Sequence, residues 1–151
     1  MRKIIFIMII FCVSMHLINA QSRDSTAFHS CEATVICAIP QLLTGTNISS
    51  SEMTSIIMQA RNDNIILTNG KVANREMLAE RVLLSLRRTE IVVTFGSDQL
   101  IRGALIGYII EISSNNESHF VLAGTDRRPI FNPCNVNGSI VSTQEVYVNA
   151  R

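Results

Sequence analysis

The sequence predicts an α+β fold: a small bent antiparallel β-sheet, or a partly closed barrel, with two helices, following a cleaved signal peptide. Three observations predict it. Two segments between Ser50 and Arg88 place apolar residues at helical spacing. After Thr89 the pattern changes to a period of two and holds it, between turns, to Val148. The first twenty residues have the three-part layout of an export signal.

That leader, MRKIIFIMIIFCVSMHLINA, starts basic at Arg2 and Lys3, runs almost purely apolar from Ile4 to Ile18, and ends on Ala20. Its apolar run is about 15 residues, short of the roughly 20 needed to span a bilayer. The expected organisation is a signal peptide over 1–20, a flexible polar start over 21–30, and one α+β domain over 31–151. The expected location is secreted or periplasmic. The longest later apolar stretch, Leu100 to Ile112, carries Arg102 and Glu111 and is too short to cross a membrane.

In chain order, Ala33–Ile39 is rich in β-branched residues and reads as a strand stopped by Pro40. Ser49 followed by Glu52 makes a capping box, and Met53, Ile56, Ile57 and Ala60 predict a helix over Ser50–Arg61. Asn69-Gly70 between two short apolar runs is a hairpin signal, since both residues accept positive φ. Asn74 caps a second helix, REMLAERVLLSLRR, whose stripe is Leu78, Ala79, Val82, Leu83 and Leu86. Arg87 and Arg88 fall in its last turn, where the helix dipole favours cations. EIVVTF is then a strand and GSDQ a turn. LIRGALIGYIIEIS is a long strand whose Gly103 and Gly107 imply a sharp bend. HFVLA and Ile140–Val148 complete the sheet, separated by the turn GTDRRP. The sub-pattern from Glu80 to Ala123, helix, strand, then bent glycine-bearing strand, resembles five-stranded barrels of the Sm-like or SH3-like kind.

Cys12 leaves with the leader, so Cys31, Cys37 and Cys134 remain, an odd number for an oxidising compartment. On a strand, Cys31 and Cys37 would stand roughly 20 Å apart, beyond the separation of about 7 Å that a disulfide tolerates. Cys134 is therefore expected to pair with one of the two, and the long-range Cys37–Cys134 bridge is the expected one, with Cys31 a free thiol. A local Cys31–Cys37 loop requires the segment to turn sharply.

Without Arg2 and Lys3, eleven basic side chains face twelve acidic ones, a formal charge of about −1. That balance argues against nucleic-acid binding, which needs a basic face. No pair of Cys or His residues has metal-ligand spacing, so neither metal nor cofactor is expected. There is no G-x-S-x-G elbow, and only His29 and His119 follow the leader. The most site-like feature is the turn Asp126-Arg127-Arg128, whose adjacent guanidiniums suit a carboxylate, sulfate or sialic-acid-type group. Sequons at Asn47, Asn116 and Asn137 are glycosylation sites if the source is eukaryotic.

The expected function is a small exported non-catalytic binding protein, a ligand-recognising subunit of a secreted or surface assembly. Its partner would be a protein or a glycan, with homo- or hetero-oligomers allowed. One alternative is a small secreted hydrolase or inhibitor using loop residues near Asp98, His119 and Asp126. Another is an assembly factor for surface fibres.

Overall fold

The computed structural model describes residues 30–96 and 103–151. The expected signal peptide, nearly all of the expected flexible start, and Asp98 lie outside the described residues. Among the described residues three helices precede five strands: α1 Cys31–Thr44, α2 Ser50–Asn62, α3 Arg75–Ser85, β1 Ile91–Phe95, β2 Ala104–Ser114, β3 Glu117–Ala123, β4 Pro129–Phe131 and β5 Ser139–Ala150. The strands form one antiparallel sheet in the order β1-β5-β2-β3-β4. The α+β class holds, with three helices where two were expected; among the described residues the sheet is the open one of the two expected forms, with β1 and β4 at its edges. Among the described residues, no helix is long and apolar enough to cross a membrane.

The expected strand at Ala33–Ile39 is instead the middle of α1. Ser30 caps this helix, its hydroxyl accepting the Ala33 N–H at 3.2 Å. Ten of its fourteen residues are buried, from Glu32 to Leu43. A helix apolar on nearly every side shows no 3.6-residue stripe, so a short β-branched run hides it. Pro40 lies inside α1 and does not end it. The Gln41 side chain donates to the Cys37 carbonyl, and the Thr44 hydroxyl to that of Pro40, beside the bond that proline removes. Gly45 then closes the helix at φ 64°, a left-handed cap.

The other helices follow their sequence signals. Ser49 Oγ accepts the Glu52 N–H at the start of α2, but the Glu52 carboxylate accepts the Ser85 hydroxyl instead of the Ser49 N–H, so only half of the expected capping box is seen among the described residues; Asn74 Oδ1 accepts the Met77 N–H at the start of α3. The Asn69-Gly70 hairpin is present with a single bridge, Ile66 to Val72. The expected end of α3 is corrected: the helix stops at Ser85, and Arg87 takes a left-handed φ of 57°. Its N–H and that of Arg88 return to the carbonyls of Leu84 and Leu83. Arg87 therefore sits where glycine is normally found. Arg87→Gly is expected to stabilise the fold by roughly 0.5–1 kcal/mol, because a non-glycine residue is strained there. Urea unfolding checks this, and an unchanged or lower midpoint counts against the strained cap.

One face of the sheet packs on the helices through Val93, Phe95, Ile109, Leu122, Phe131 and Val146, and α1 lies against both α3 and β3. A bulge between Leu105 and Gly107 bends β2, as the glycine pattern implied. A side chain at Gly107 would place its Cβ 2.2 Å from the Ala123 carbonyl oxygen, so only glycine lets β3 come this close. The β2–β3 turn is Asn115-Asn116, both at positive φ, the primed geometry that suits a two-residue hairpin.

The disulfide is also corrected. Cys31, not Cys37, bridges Cys134, with Cα atoms 6.6 Å apart. Because α1 is a helix, Cys31 stands at its first turn facing β3, its sulfur 3.8 Å from the Phe120 carbonyl oxygen. Cys37 is a turn and a half further along, buried in the core as a free thiol. Burial pushes its pKa up to about 12, which leaves it unreactive.

Candidate functional site

Antiparallel register decides which side chains share the face of the sheet turned away from the helices. Tyr108 on β2 stands directly opposite Glu145 on β5, and Tyr147 on β5 opposite Thr94 on β1. Directly opposed residues project to the same side, and residues two apart on a strand do too. Tyr108, Glu145, Tyr147, Thr94 and Thr143 therefore line one outer surface. Tyr108 and Tyr147 are the only tyrosines in the chain. On the same face, beside Tyr108, Ile110, Val121 and Ala123 are buried and stand apart from the main core cluster.

The β3–β4 turn adds a cation to this surface. Gly124 N–H bonds the Arg128 carbonyl and Arg127 N–H the Gly124 carbonyl, closing a tight turn in which Arg127 has φ 62°. Asp126 Oδ1 accepts the Arg128 N–H, an Asx turn that fixes the corner. The guanidinium of Arg127 lies 5.1 Å above the Tyr108 ring centre, a cation–π stack. Its side chain makes no hydrogen bond among the described residues. Arg128 turns back toward Asp126 at 3.5 Å and is almost wholly exposed. The two arginines diverge rather than forming the paired clamp that adjacency implied. Only Arg127 joins the sheet surface.

Glu145 occupies the centre of this patch. The Tyr147 hydroxyl donates to Glu145 Oε2 at 2.5 Å, and that bond, with a smaller desolvation effect, raises the Tyr147 pKa. The phenol proton is thus committed to Glu145, while the second carboxylate oxygen accepts no hydrogen bond among the described residues. An aromatic surface, a carboxylate acceptor, threonine hydroxyls and a guanidinium together suit a polar, hydroxyl-rich ligand bearing a negative charge.

A second concavity lies on the helix side of the sheet, at the end that extends beyond the helices. Its volume is about 490 Å³, and Glu32, Lys71, Arg75, Glu111, Ser118 and Phe120 form much of its wall. Glu32 is buried and accepts the Val72 N–H at 2.9 Å and both Nε and Nη2 of Arg75, at 2.8 and 2.5 Å. The Arg75 guanidinium also lies 5.8 Å from the Phe120 ring centre. Each carboxylate oxygen of Glu111 takes one hydroxyl, from Ser118 and from Ser142, both at 2.8 Å. Those two bonds lower the Glu111 pKa most, and the charges of Arg75 and Lys71 lower it further.

The remaining sequence-derived candidates are dispersed. His119 lies early in β3, and its Nε2 is 4.0 Å from Glu117. Asp126 lies past the far end of the same strand, at least about 13 Å of extended chain away. The structure does not bring the two together. His119 does approach the disulfide: a ring nitrogen and the sulfurs of Cys31 and Cys134 lie within 4.8 Å of one another. The two sulfurs are bonded to each other, so the thiolates a metal would need are consumed. Asn47, Asn116 and Asn137 are all exposed.

Sequence reasoning found Arg127 and missed Tyr108, Glu145 and Tyr147. The period-two pattern of β5 already put Glu145 and Tyr147 on one face. The pairing of β5 with β2, which brings Tyr108 alongside, has no local signal. In comparisons of the chain with protein-family models, with curated sequences and with solved structures, nothing matches.

Proposed function

We propose that this chain is a small exported binding protein, without catalytic activity, that recognises an acidic sugar of a glycan on the outer face of its sheet. The observation that carries this reading is the meeting of both tyrosines, Glu145 and the Arg127 guanidinium on one surface. The Tyr147 ring supplies an apolar platform for a sugar's C–H face. The second oxygen of Glu145 accepts sugar hydroxyls, and Arg127 pairs with the sugar carboxylate, already held in place by its stack on Tyr108. Export is supported by the charge and length pattern of the first twenty residues, and a Cys31–Cys134 bridge suits an oxidising compartment.

NMR titration of the 15N-labelled protein with sialyllactose tests the reading. The expected result is saturable shifts at Tyr108, Arg127, Glu145 and Tyr147. Lactose, which lacks the carboxylate, should bind about tenfold or more weakly, as should sialyllactose with Arg127→Ala, because a charge-assisted hydrogen bond contributes on that scale. Equal affinity for both sugars, or an Arg127→Ala variant indistinguishable from the parent, contradicts it.

A further inference from the structure

The cleft on the helix side of the sheet carries a pattern of charge that the outer-face reading does not use. Glu32 and Glu111 balance Lys71 and Arg75 in formal charge, but the four are not paired off two by two. Arg75 is held on Glu32 through Nε and Nη2, which leaves Nη1 without a hydrogen bond among the described residues. Lys71 follows the Asn69-Gly70 turn, where the Asn69 side chain accepts its backbone N–H, and its ammonium has no partner among the described residues. Across the space, Glu111 receives among the described residues only neutral hydroxyls, one on each oxygen, which leaves each oxygen an acceptor site there. Unmatched donors of two cations and unmatched acceptors of one anion therefore border the same volume of about 490 Å³.

We infer that this cleft binds a small zwitterion of the α-amino-acid type, its carboxylate between Lys71 and Arg75 Nη1 and its ammonium on Glu111. An anion alone would meet the two cations but lie in the field of Glu111. An amine alone would meet Glu111 but lie in the fields of Lys71 and Arg75. Only a ligand carrying both charges satisfies both ends. The volume falls within the usual range for small-ligand pockets, roughly 300–1,000 Å³. The site is pre-organised at its cationic end, because Glu32 fixes the plane of the Arg75 guanidinium and Phe120 backs it.

The test is a titration of the 15N-labelled protein with the free α-amino acids, each compared with its N-acetyl and its amide derivative, and with dipeptides. The expected result is that at least one free amino acid gives saturable shifts at Val72, Arg75 and Ser118. Blocking either of its charges should weaken binding about tenfold or more. Lys71→Gln and Glu111→Gln should each do the same; Lys71 is exposed, and glutamine at 111 keeps the shape of the half-buried glutamate and an acceptor oxygen for the serine hydroxyls, so the fold is kept. Dipeptides binding more tightly than free amino acids would support the same charge recognition, with a peptide as the source. No saturable shift with any of these ligands, or a blocked derivative binding as tightly as its free parent, overturns the inference. Because the sugar test reads Tyr108 and Tyr147 on the opposite face, either proposal can fail without the other.

Discussion

Replacing Cys134 with serine is expected to lower the unfolding free energy by about 3–4 kcal/mol, and the melting temperature by roughly 10–15 °C. The bridge joins residues 103 apart in sequence, so cutting it frees almost the whole domain in the unfolded state. In the chain-entropy view a loop of that length contributes about 4.7 kcal/mol, which native-state relaxation reduces. The folded state also loses a local tie. Where β4 pairs with β3 it reaches only Leu122 and Ala123, and the disulfide secures α1 and the 132–138 segment near Phe120 and His119. Reductant acting on the parent should reproduce the variant's melting curve. Cys37→Ala should cost only about 1–2 kcal/mol, the scale of a small core truncation. Calorimetry of the three proteins separates these effects. A Cys37 variant that falls as far as the Cys134 variant would contradict the pairing.

The second large effect is expected at Glu32. Glu32→Ala should destabilise the domain by about 3–4 kcal/mol. The carboxylate is 3% exposed and joins three parts of the chain: the first turn of α1, the hairpin through Val72 N–H, and α3 through Arg75. Truncation leaves an inward-facing backbone N–H without an acceptor and a guanidinium, only 22% exposed, without its anion. Arg75→Ala alone should also be costly, since it strands the buried carboxylate. Removing both residues should cost less than the sum, and a double-mutant cycle should give a coupling above about 1.5 kcal/mol. Urea unfolding of the four proteins measures it. A Glu32→Ala cost below about 1 kcal/mol would mean that the carboxylate does not tie these elements together.

Local signals in the sequence were enough for α2, for all but the last turn of α3 and for the Asn69-Gly70 hairpin. Each had a capping side chain, an apolar stripe or a two-residue turn, and each owes its form to neighbours within a few residues. α1 carried no such stripe, because burial on nearly all sides removes the contrast between faces, and Pro40 looked like a stop. The mistaken strand then misdirected the cysteines: extended geometry excluded Cys31 from the local bridge, but helical geometry aims it at β3. The order of the strands within the sheet was not legible either. Placing β5 between β1 and β2 depends on pairing between residues as distant as Ala104 and Val148, and no turn residue records it. Arg127 stood out by composition, but its partner Tyr108 lies on another strand. Glu111 was noticed as a carboxylate in an apolar stretch, while the serines that hold it came from β3 and β5.

Disulfide mapping by mass spectrometry, on the protein recovered from its native host and alkylated before denaturation, tests the central claim most directly. That claim is an exported domain in which α1 presents Cys31 to the sheet and keeps Cys37 sealed in the core. The predicted result is a chain beginning at Gln21, a peptide pair cross-linked through Cys31 and Cys134, and Cys37 alkylated only after unfolding. A cross-link through Cys37, or three reduced cysteines in a chain still carrying Met1, would contradict the account.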